Sequence, residues 1–465
     1  MRINEEFKKP GYFWLPSTPD HKVPGVLQIS DGGKVELEIF GILENEKNPV
    51  HAFNNQTPPE LINGEVESHG YITLENCYYT NKSFDLSGGI SKSRINASRA
   101  ILGAAFDRSE EILVDALKFS IEGLSEWVGI SGFTSSFDFE SGSVQIQYRL
   151  PEEISFDINQ NLKLKIRFSY KIPSISGEKS IKIEQETFFE LFSGEAIALD
   201  DLLNLAFKIT TFIGFGVNAN VALHSVSATS KDIAQHMGER KLLIPITIIY
   251  ASKPFEKNPP RIEGRRMLFN FEAVRSNFEA VLRKWLAAYE NIDPSLNLYF
   301  SVTNGDQKYI ENKFLALAQC LETYHRRTSP EKLMNEDQFN RLVEDIKENC
   351  PKEHLEWLSG RIQHGNELSL SRRIKKIIEP FKELVGNSGE RGKIIRNIVN
   401  TRNYLTHYSK DLEVDAVGGI DLFIICKKME AIFQLHLLNA LGFGKKEVVE
   451  IYQRSDDLKK KLSSD

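Results

Sequence analysis

The hydrophobic pattern of the chain changes its period once, near residue 256. Before that point apolar and polar residues alternate over short runs, as in Lys163–Tyr170, and turn-forming Asp-Gly and Ser-Gly pairs separate the runs. Such alternation gives a strand one buried and one solvated face, which is typical of antiparallel sheets. After that point apolar residues recur every three to four positions over helix-length stretches. The sequence therefore predicts an α+β multidomain protein, with an N-terminal β-rich, sandwich-like domain followed by an all-α helical bundle.

A chain of 465 residues is too long for one ordinary compact core, so more than one domain is expected. The segment 256–266 concentrates proline, glycine and charge, which indicates a linker. We therefore expect a β-rich sensing or regulatory domain over 1–255 and an all-α domain over 267–465. Two helices are expected to interrupt the strands, near Glu110–Leu117 and near Leu199–Phe212.

Charge is divided unevenly between the two parts of the chain. Residues 1–260 carry 25 Lys and Arg against 34 Asp and Glu, a net charge of −9, whereas residues 261–465 carry 33 against 30, a net charge of +3. The second part is therefore the better candidate for binding a polyanion. The four cysteines are scattered without a CxxC pair, which argues against a zinc knuckle or a thioredoxin-like site and fits a reducing compartment. We expect no metal and no cofactor. Because no stretch is typical of a secretory signal or a membrane span, the expected location is the cytoplasm, away from membranes.

The most informative stretch is Arg391–Lys410, which contains no Asp or Glu. Ser388 or Asn387 can cap its start as a helix. Helical spacing puts three apolar residues on one face, namely Ile394, Ile398 and Leu405. The opposite face gathers Lys393, Arg396, Asn400, Asn403 and His407, with Arg402 at its flank. Surface helices normally intersperse both charge signs, so a basic stripe with two amides and a histidine favours binding to a phosphodiester.

These residue types also match the needs of RNA cleavage without a metal. A base must take the 2′-OH proton and an acid must protonate the leaving 5′-oxygen, and histidine can do either. A guanidinium such as Arg402 can stabilise charge on the phosphate, and Asn403 can orient either partner. One histidine is short of an acid–base pair, which a symmetric dimer would complete. An Arg and His at this spacing occur about once by chance in such a chain, so an ordinary solvated helix stays an open alternative.

Two further basic clusters are candidates for RNA binding. Tyr324-His325-Arg326-Arg327 closes a predicted helix, where positive charge also simply complements the helix dipole. We assign these four residues to RNA binding together with Lys393, Arg396 and Asn400, and His325 is a second candidate for a catalytic histidine. The run Arg372–Lys376 is either a solvated helix face or a surface that steers RNA.

The motif itself carries a resemblance to a known family. Residues Arg402–His407 read RNYLTH, which matches the RNxxxH motif of HEPN ribonucleases. The C-terminal half resembles the HEPN domain of ApeA-type anti-phage proteins, and the N-terminal part resembles the β-rich domain that accompanies it. The stretches that carry this resemblance are Leu282–Phe300, Cys320–Arg327 and Met429–Phe443 in the second half, and Gly11–Pro16, Pro24–Leu27 and Val35–Gly41 in the first.

The resemblance implies a HEPN endoribonuclease that acts without a metal in abortive-infection defence. Family roles assign catalysis to Arg402, Asn403 and His407, with tRNA as the associated substrate and 2′,3′-cyclic phosphate ends as products. The implied partners are RNA, a phage-encoded trigger protein or ligand, and further copies of the chain in a homodimer or higher even oligomer. The alternative is a non-catalytic binding or scaffold protein in the same defence role, which dimerises through its helical domain.

Overall fold

The computed structural model describes residues 1–44, 57–83, 89–107, 112–171, 182–231, 233–237, 240–305 and 307–463. The chain divides into two compact units, Met1–Leu282 and Arg283–Asp465. The segment 256–266, expected to be a linker, lies inside the first unit.

The first unit is rich in strands. Its described strands are β1 (Phe7–Trp14), β2 (Val23–Ser30), β3 (Lys34–Phe40), β4 (Leu61–Val66), β5 (Gly70–Ser83), β6 (Lys92–Leu102), β7 (Leu113–Ile121), β8 (Phe133–Asp138), β9 (Ser143–Tyr148), β10 (Ile154–Asp157), β11 (Leu162–Lys171), β12 (Glu184–Ala198), β13 (Leu223–Thr229), β14 (Ala234–Met237), β15 (Arg240–Leu243) and β16 (Ile246–Tyr250).

Twelve of these strands form one antiparallel sheet. Their order is β10-β11-β12-β7-β13-β16-β6-β3-β2-β1-β4-β5. Strand β5 also pairs with β6, so β6, β3, β2, β1, β4 and β5 close into a ring of six strands. Strands β8 and β9 form a separate hairpin, as do β14 and β15.

The predicted alternation in β11 is confirmed. Leu164 and Ile166 are fully buried, whereas Lys163, just before Leu164, is exposed. Ile166 lies opposite Phe189 of β12, which is buried as well. The apolar face of the strand is therefore fixed by pairing with an apolar partner across the sheet.

The helix expected at Glu110–Leu117 is wrong for the described part of that segment. Residues Leu113–Ile121 form β7, a strand in the middle of the sheet between β12 and β13. Leu117 pairs with Leu191 on one side and Ala228 on the other. Residues 114–117 are buried in succession, so β7 lacks the regular alternation of a half-exposed strand, and its short apolar run did not distinguish a strand from a helix.

Helices α1 (Leu124–Val128) and α2 (Leu199–Val217) lie inside the first unit, and α2 confirms the second expected helix. Trp127 of α1 is fully buried, and its indole N–H donates to the carbonyl of Phe269 at 3.1 Å. Its ring also contacts the ring of Phe212 of α2, with centroids 5.9 Å apart. The chain just beyond 256–266 therefore packs into the core of the first unit.

The remaining helices are α3 (Phe271–Val274), α4 (Phe278–Thr303), α5 (Ile310–Thr328), α6 (Glu336–Glu348), α7 (Leu355–Ile362), α8 (Leu370–Ile378), α9 (Lys382–Val385), α10 (Ser388–His407), α11 (Lys410–Glu413), α12 (Gly419–Leu441), α13 (Lys445–Arg454) and α14 (Asp456–Leu462). Helix α4 is kinked at Ile292, two residues before Pro294, whose ring cannot continue a regular helix.

The core of the second unit is built around α12. Fifteen of its residues are buried, and it packs against α5 and α14. The expected α+β class, with a helical region after a β-rich one, is confirmed. Among the described residues, none of the helices is both long and apolar enough to cross a membrane.

Candidate ribonuclease site

Helix α10 carries the candidate motif and begins where the sequence predicted. The Asn387 side chain accepts the backbone N–H groups of Gly389 and Glu390, and the Glu390 carboxylate accepts that of Asn387, which completes a capping box. Ile394 and Ile398 are buried, as expected for the apolar face. Because α10 packs against α5 and α8, the opposite face is left toward solvent.

The end of α10 is anchored by Thr401. This residue is fully buried, and its hydroxyl accepts the backbone N–H of Val417 at 3.0 Å. Tyr408 ends the helix in the left-handed conformation, at φ 49° and ψ 32°. The Thr401 hydrogen bond and the conformation of Tyr408 therefore fix the last two turns of the helix, which hold the motif.

The three predicted catalytic residues lie together on these last turns. Asn403 and His407 are four residues apart and share one face of the helix. The Arg402 Nη1 group donates to the Asn403 side-chain oxygen at 3.4 Å. His407 is exposed, and the Arg402 side chain is 39% exposed. All three side chains are thus accessible to a phosphodiester approaching the end of α10.

The basic stripe continues from the motif along α10. Lys393 and Arg396 are exposed and Asn400 is half-buried, in line with Asn403 and His407 on the same face. This arrangement places basic and amide side chains on one side of the motif. The assignment of these residues to RNA binding stays a prediction.

A carboxylate that the sequence pattern did not single out faces the motif. Glu322 of α5 lies 4.0 Å from Arg402 Nη2 through its Oε2 atom, and its other oxygen accepts from Arg326 at 3.0 Å. Glu322 is four residues before Arg326, the spacing of a helical ion pair. This spacing is the signal by which Glu322 could have been noticed in the sequence. The contact between Arg402 and this counterion is therefore long and weak.

The predicted RNA-binding cluster Tyr324–Arg327 contains both exposed and buried residues. Arg326 is exposed and bridges Glu322 and Glu367, and the exposed Arg327 donates to the carbonyl of Asn291 at 3.2 Å. Tyr324 packs in the core, edge-on to the ring of Phe433. Only the arginines of this cluster present their side chains at the surface in this structure.

His325 is buried next to an ion pair. Arg373 donates Nη1–H to His325 Nδ1 at 3.2 Å and pairs with Glu367. Burial, followed by the charge of Arg373, lowers the pKa of His325, so the imidazole is neutral and accepts this bond. Arg373 itself is 1% exposed, so this residue of the run Arg372–Lys376 lies neither on a solvated face nor on a surface that steers RNA. These contacts give His325 a structural role, in addition to the predicted roles in RNA binding or catalysis.

Large apolar side chains are exposed near the end of α10. They are Tyr408, Val414, Ile420 and Phe423, with exposed fractions of 66%, 89%, 71% and 47%. They follow the motif in the chain, from the end of α10 to the first two turns of α12. An exposed apolar set next to a polar site is typical of an interaction surface.

Comparison with known families identifies both parts of the chain. The family described as ApeA N-terminal domain 1 matches residues 8–285. The chain belongs to the ApeA family. The family described as Apea-like HEPN matches residues 315–447, a range that includes all of α10. No curated protein and no solved structure matches the chain.

The ApeA and HEPN matches confirm the two-part architecture expected from the residues. HEPN domains are generally ribonucleases, so the chain has the general organisation of a HEPN-type nuclease defence protein. In the described part of the chain, the structure contains no group of three or more His, Cys, Asp or Glu side chains placed to hold a metal ion.

Proposed function

We propose that this ApeA protein is an endoribonuclease that cleaves RNA, with tRNA as the substrate class, without a metal. It acts in abortive-infection defence after a phage-derived protein or ligand triggers it. The observation that carries the proposal is the grouping of Arg402, Asn403 and His407 on the accessible last turns of α10, within the HEPN match.

Each of the three residues has a chemical role in this proposal. His407 takes the proton from the 2′-OH or gives one to the leaving 5′-oxygen. Arg402 hydrogen-bonds the non-bridging phosphate oxygens as charge builds on them, and Asn403, already bonded to Arg402, orients the guanidinium. The 2′-oxygen forms a bond to phosphorus while the bond to the 5′-oxygen breaks. The products therefore carry a 2′,3′-cyclic phosphate and a 5′-OH.

A homodimer supplies what one copy lacks. One His407 performs one of the two proton transfers, and a second copy of α10 across a two-fold axis provides the other histidine. The exposed apolar residues from Tyr408 to Phe423 support an interface beside the motif.

The test is a cleavage assay with total tRNA in EDTA. Wild type, His407→Ala and a control, His354→Ala, are compared, because His354 is an exposed histidine outside the motif. We expect wild type and His354→Ala to cut and His407→Ala to be inactive, with cyclic phosphate ends on the fragments. Fragments with 5′-phosphate ends, or equal cleavage by all three proteins, contradict the mechanism.

The assay is extended to cover an enzyme that is inactive until a trigger binds. If purified wild type is inactive, the same three proteins are assayed with lysate from phage-infected cells as the source of the trigger. Failure of wild type to cut in both settings, with growth arrest or defence intact in His407→Ala cells, favours the alternative of a non-catalytic protein that dimerises through its helical domain.

A further inference from the structure

Two aromatic side chains adjoin the motif at the end of α10. Tyr404 and Tyr408 directly follow Asn403 and His407 in the chain, so each pair is spaced by four residues. Residues with this spacing lie along one face of a helix, which places the tyrosines next to the face of Asn403 and His407. The Tyr404 and Tyr408 rings are in contact, with centroids 5.5 Å apart and planes at 62°. They form an aromatic pair beside the motif.

Tyr408 is the outer ring of this aromatic pair. Tyr404 is half-buried, whereas Tyr408 is 66% exposed. The backbone N–H of Tyr408 donates to the Tyr404 carbonyl at 2.6 Å, so the backbone and the ring of Tyr408 are both held against Tyr404. A ring that is supported by a neighbour and yet mostly open to solvent offers a flat surface on which another aromatic group can stack.

The backbone of Tyr408 adopts a conformation that large side chains rarely take, with φ at 49°. Glycine or asparagine is the usual residue at such a helix end, because a bulky side chain is strained there. The other described non-glycine residues with positive φ have short side chains, and they are Ser68, Asn76, Asn218 and Ser225. Helix capping therefore does not account for a tyrosine at this position.

The charges beside the aromatic pair differ from those along the basic stripe. The stripe carries Lys393 and Arg396, and Arg402 flanks it. Burial, followed by the charge of the nearby Glu413 in α11, raises the pKa of the Tyr404 phenol. A phosphate is attracted to the stripe and repelled beside the aromatic pair, where an uncharged base is not repelled. A nucleotide bound here therefore turns its phosphate toward Arg402 and its base toward the rings.

We propose that Tyr408, supported by Tyr404, stacks on a nucleobase next to the phosphodiester that the motif cleaves. This inference rests on the proposed function, because it requires the motif to engage RNA. A paired base is not free to stack on a side chain, so the aromatic pair selects RNA whose nucleotides are unpaired at the cleavage site. Every base has a face that can stack, so the selection is for unpaired nucleotides rather than for one base.

Tyr408 is the member of the exposed apolar set that adjoins the motif. It directly follows His407, so a base on its ring lies beside the proposed catalytic histidine of the same copy. Val414, Ile420 and Phe423 come after α11 in the chain and are left for contact with a second copy. The two surfaces can therefore be separated by experiment.

The test is binding of the full chain to a short 2′-O-methyl oligouridine with one central 2-aminopurine and a fluorescent end label. The probe lacks the attacking 2′-OH, so it can bind but cannot be cut by the proposed mechanism. Anisotropy of the label gives the affinity, and quenching of the 2-aminopurine emission reports stacking. We expect binding and quenching with wild type, and equally with Tyr408→Phe, which keeps the ring.

Tyr408→Gly removes the ring and suits the positive φ. We expect it to weaken binding about tenfold and to abolish the quenching, since removing one base–aromatic stack has an effect of that order. Its urea midpoint should rise, because the backbone strain is relieved. Tyr309→Ala is the control, because Tyr309 is 72% exposed but lies at the start of α5, outside the motif. Its affinity should equal that of wild type.

Several outcomes contradict the proposal. They are unquenched emission or absent binding with wild type, loss of binding in Tyr408→Phe, and binding by Tyr408→Gly as tight as that of wild type. A Tyr408→Gly protein that is monomeric in sedimentation equilibrium, while wild type is dimeric, assigns Tyr408 to the interface instead.

Failure of this inference and failure of the proposed nuclease give different results. If the probe is bound and quenched but tRNA is not cut, the nuclease proposal fails and the stacking contact stands. If wild type and Tyr408→Gly cut limiting tRNA at equal rates, the stacking contact fails and the nuclease stands.

Discussion

Arg402 is the motif residue with the most informative surroundings. Its contact to Glu322 spans 4.0 Å, and both side chains are partly exposed, so the pair adds little stability. The same carboxylate opposes a phosphate that approaches the guanidinium. In the proposed site, we therefore expect Glu322 to weaken RNA binding by competing with the phosphate for Arg402.

Replacing Glu322 tests this relation. In a His407→Ala background, which by the proposed mechanism should bind RNA without cutting it, Glu322→Gln should tighten tRNA binding by up to about fivefold, since an exposed pair is worth at most about 1 kcal/mol. Fluorescence anisotropy with labelled tRNA measures the change. Glu356→Gln, in the exposed helix α7, is the control and should have no effect. Weaker binding in Glu322→Gln would show that the carboxylate holds Arg402 in its productive position.

His436 provides a pH-dependent prediction for the helical unit. It is buried against Tyr324 and Phe381, and its Nε2–H donates to the Ile377 carbonyl at 2.7 Å. Burial lowers the pKa of His436 from 6.5 to about 4. The unfolded chain binds this proton more readily, so the contribution to stability is present above about pH 6.5 and is lost as the pH falls toward 4.

We expect the free energy of unfolding to decrease by at most about 3 kcal/mol from this group over that range. His436→Gln keeps a donor for Ile377 but cannot titrate, so its unfolding should depend less on pH. Denaturant titrations at several pH values measure both. His354→Gln, at an exposed position, should keep the pH dependence of wild type. Equal pH dependence in wild type and His436→Gln is the contrary result.

At the scale of elements, α10 and α6 begin alike but differ in packing. Each starts with an Asn whose side chain accepts a backbone N–H, Asn387 and Asn335 respectively. Helix α10 has buried residues on its apolar face, whereas α6 has none. Helical stability in proteins comes mainly from such packing, so we expect α6 to unfold locally without the rest of its unit.

The two caps should therefore respond differently to the same change. Asn387→Ala should lower the free energy of unfolding by about 1 kcal/mol, because the cap and its reciprocal bond to Glu390 are lost. Asn335→Ala should leave the cooperative transition nearly unchanged. Urea unfolding measures global stability, and hydrogen exchange in α6 detects the local loss. A large global effect of Asn335→Ala would show that α6 is coupled to the core.

At the scale of the whole molecule, the proposed nuclease depends on association of two copies. Ile420→Glu and Phe423→Glu place charge in the exposed apolar set beside α10 and should weaken dimerisation and tRNA cleavage together. Trp357→Glu is a matched control, since Trp357 is 64% exposed but lies on α7. Sedimentation equilibrium and the cleavage assay are run on the same preparations. Full activity in a monomeric variant contradicts the shared site.

The chain itself determined the features that depend on local pattern. Alternation placed Leu164 and Ile166 inside the sheet, and the residues before Arg391 specified where α10 begins. The candidate triad was also readable, because Arg402, Asn403 and His407 are close in sequence and lie on one helix. Side chains within two turns of each other take relative positions that helical geometry alone dictates.

Only the tertiary structure decided contacts between distant segments. Glu322 reaches Arg402, and Arg373 is buried beside His325, because α5, α8 and α10 pack together. The strand at Leu113–Ile121 exists because both of its flanks are paired, which overrides a short and ambiguous apolar run. Periodicity reports which face of an element is apolar, but ion pairs and buried charge depend on which elements meet.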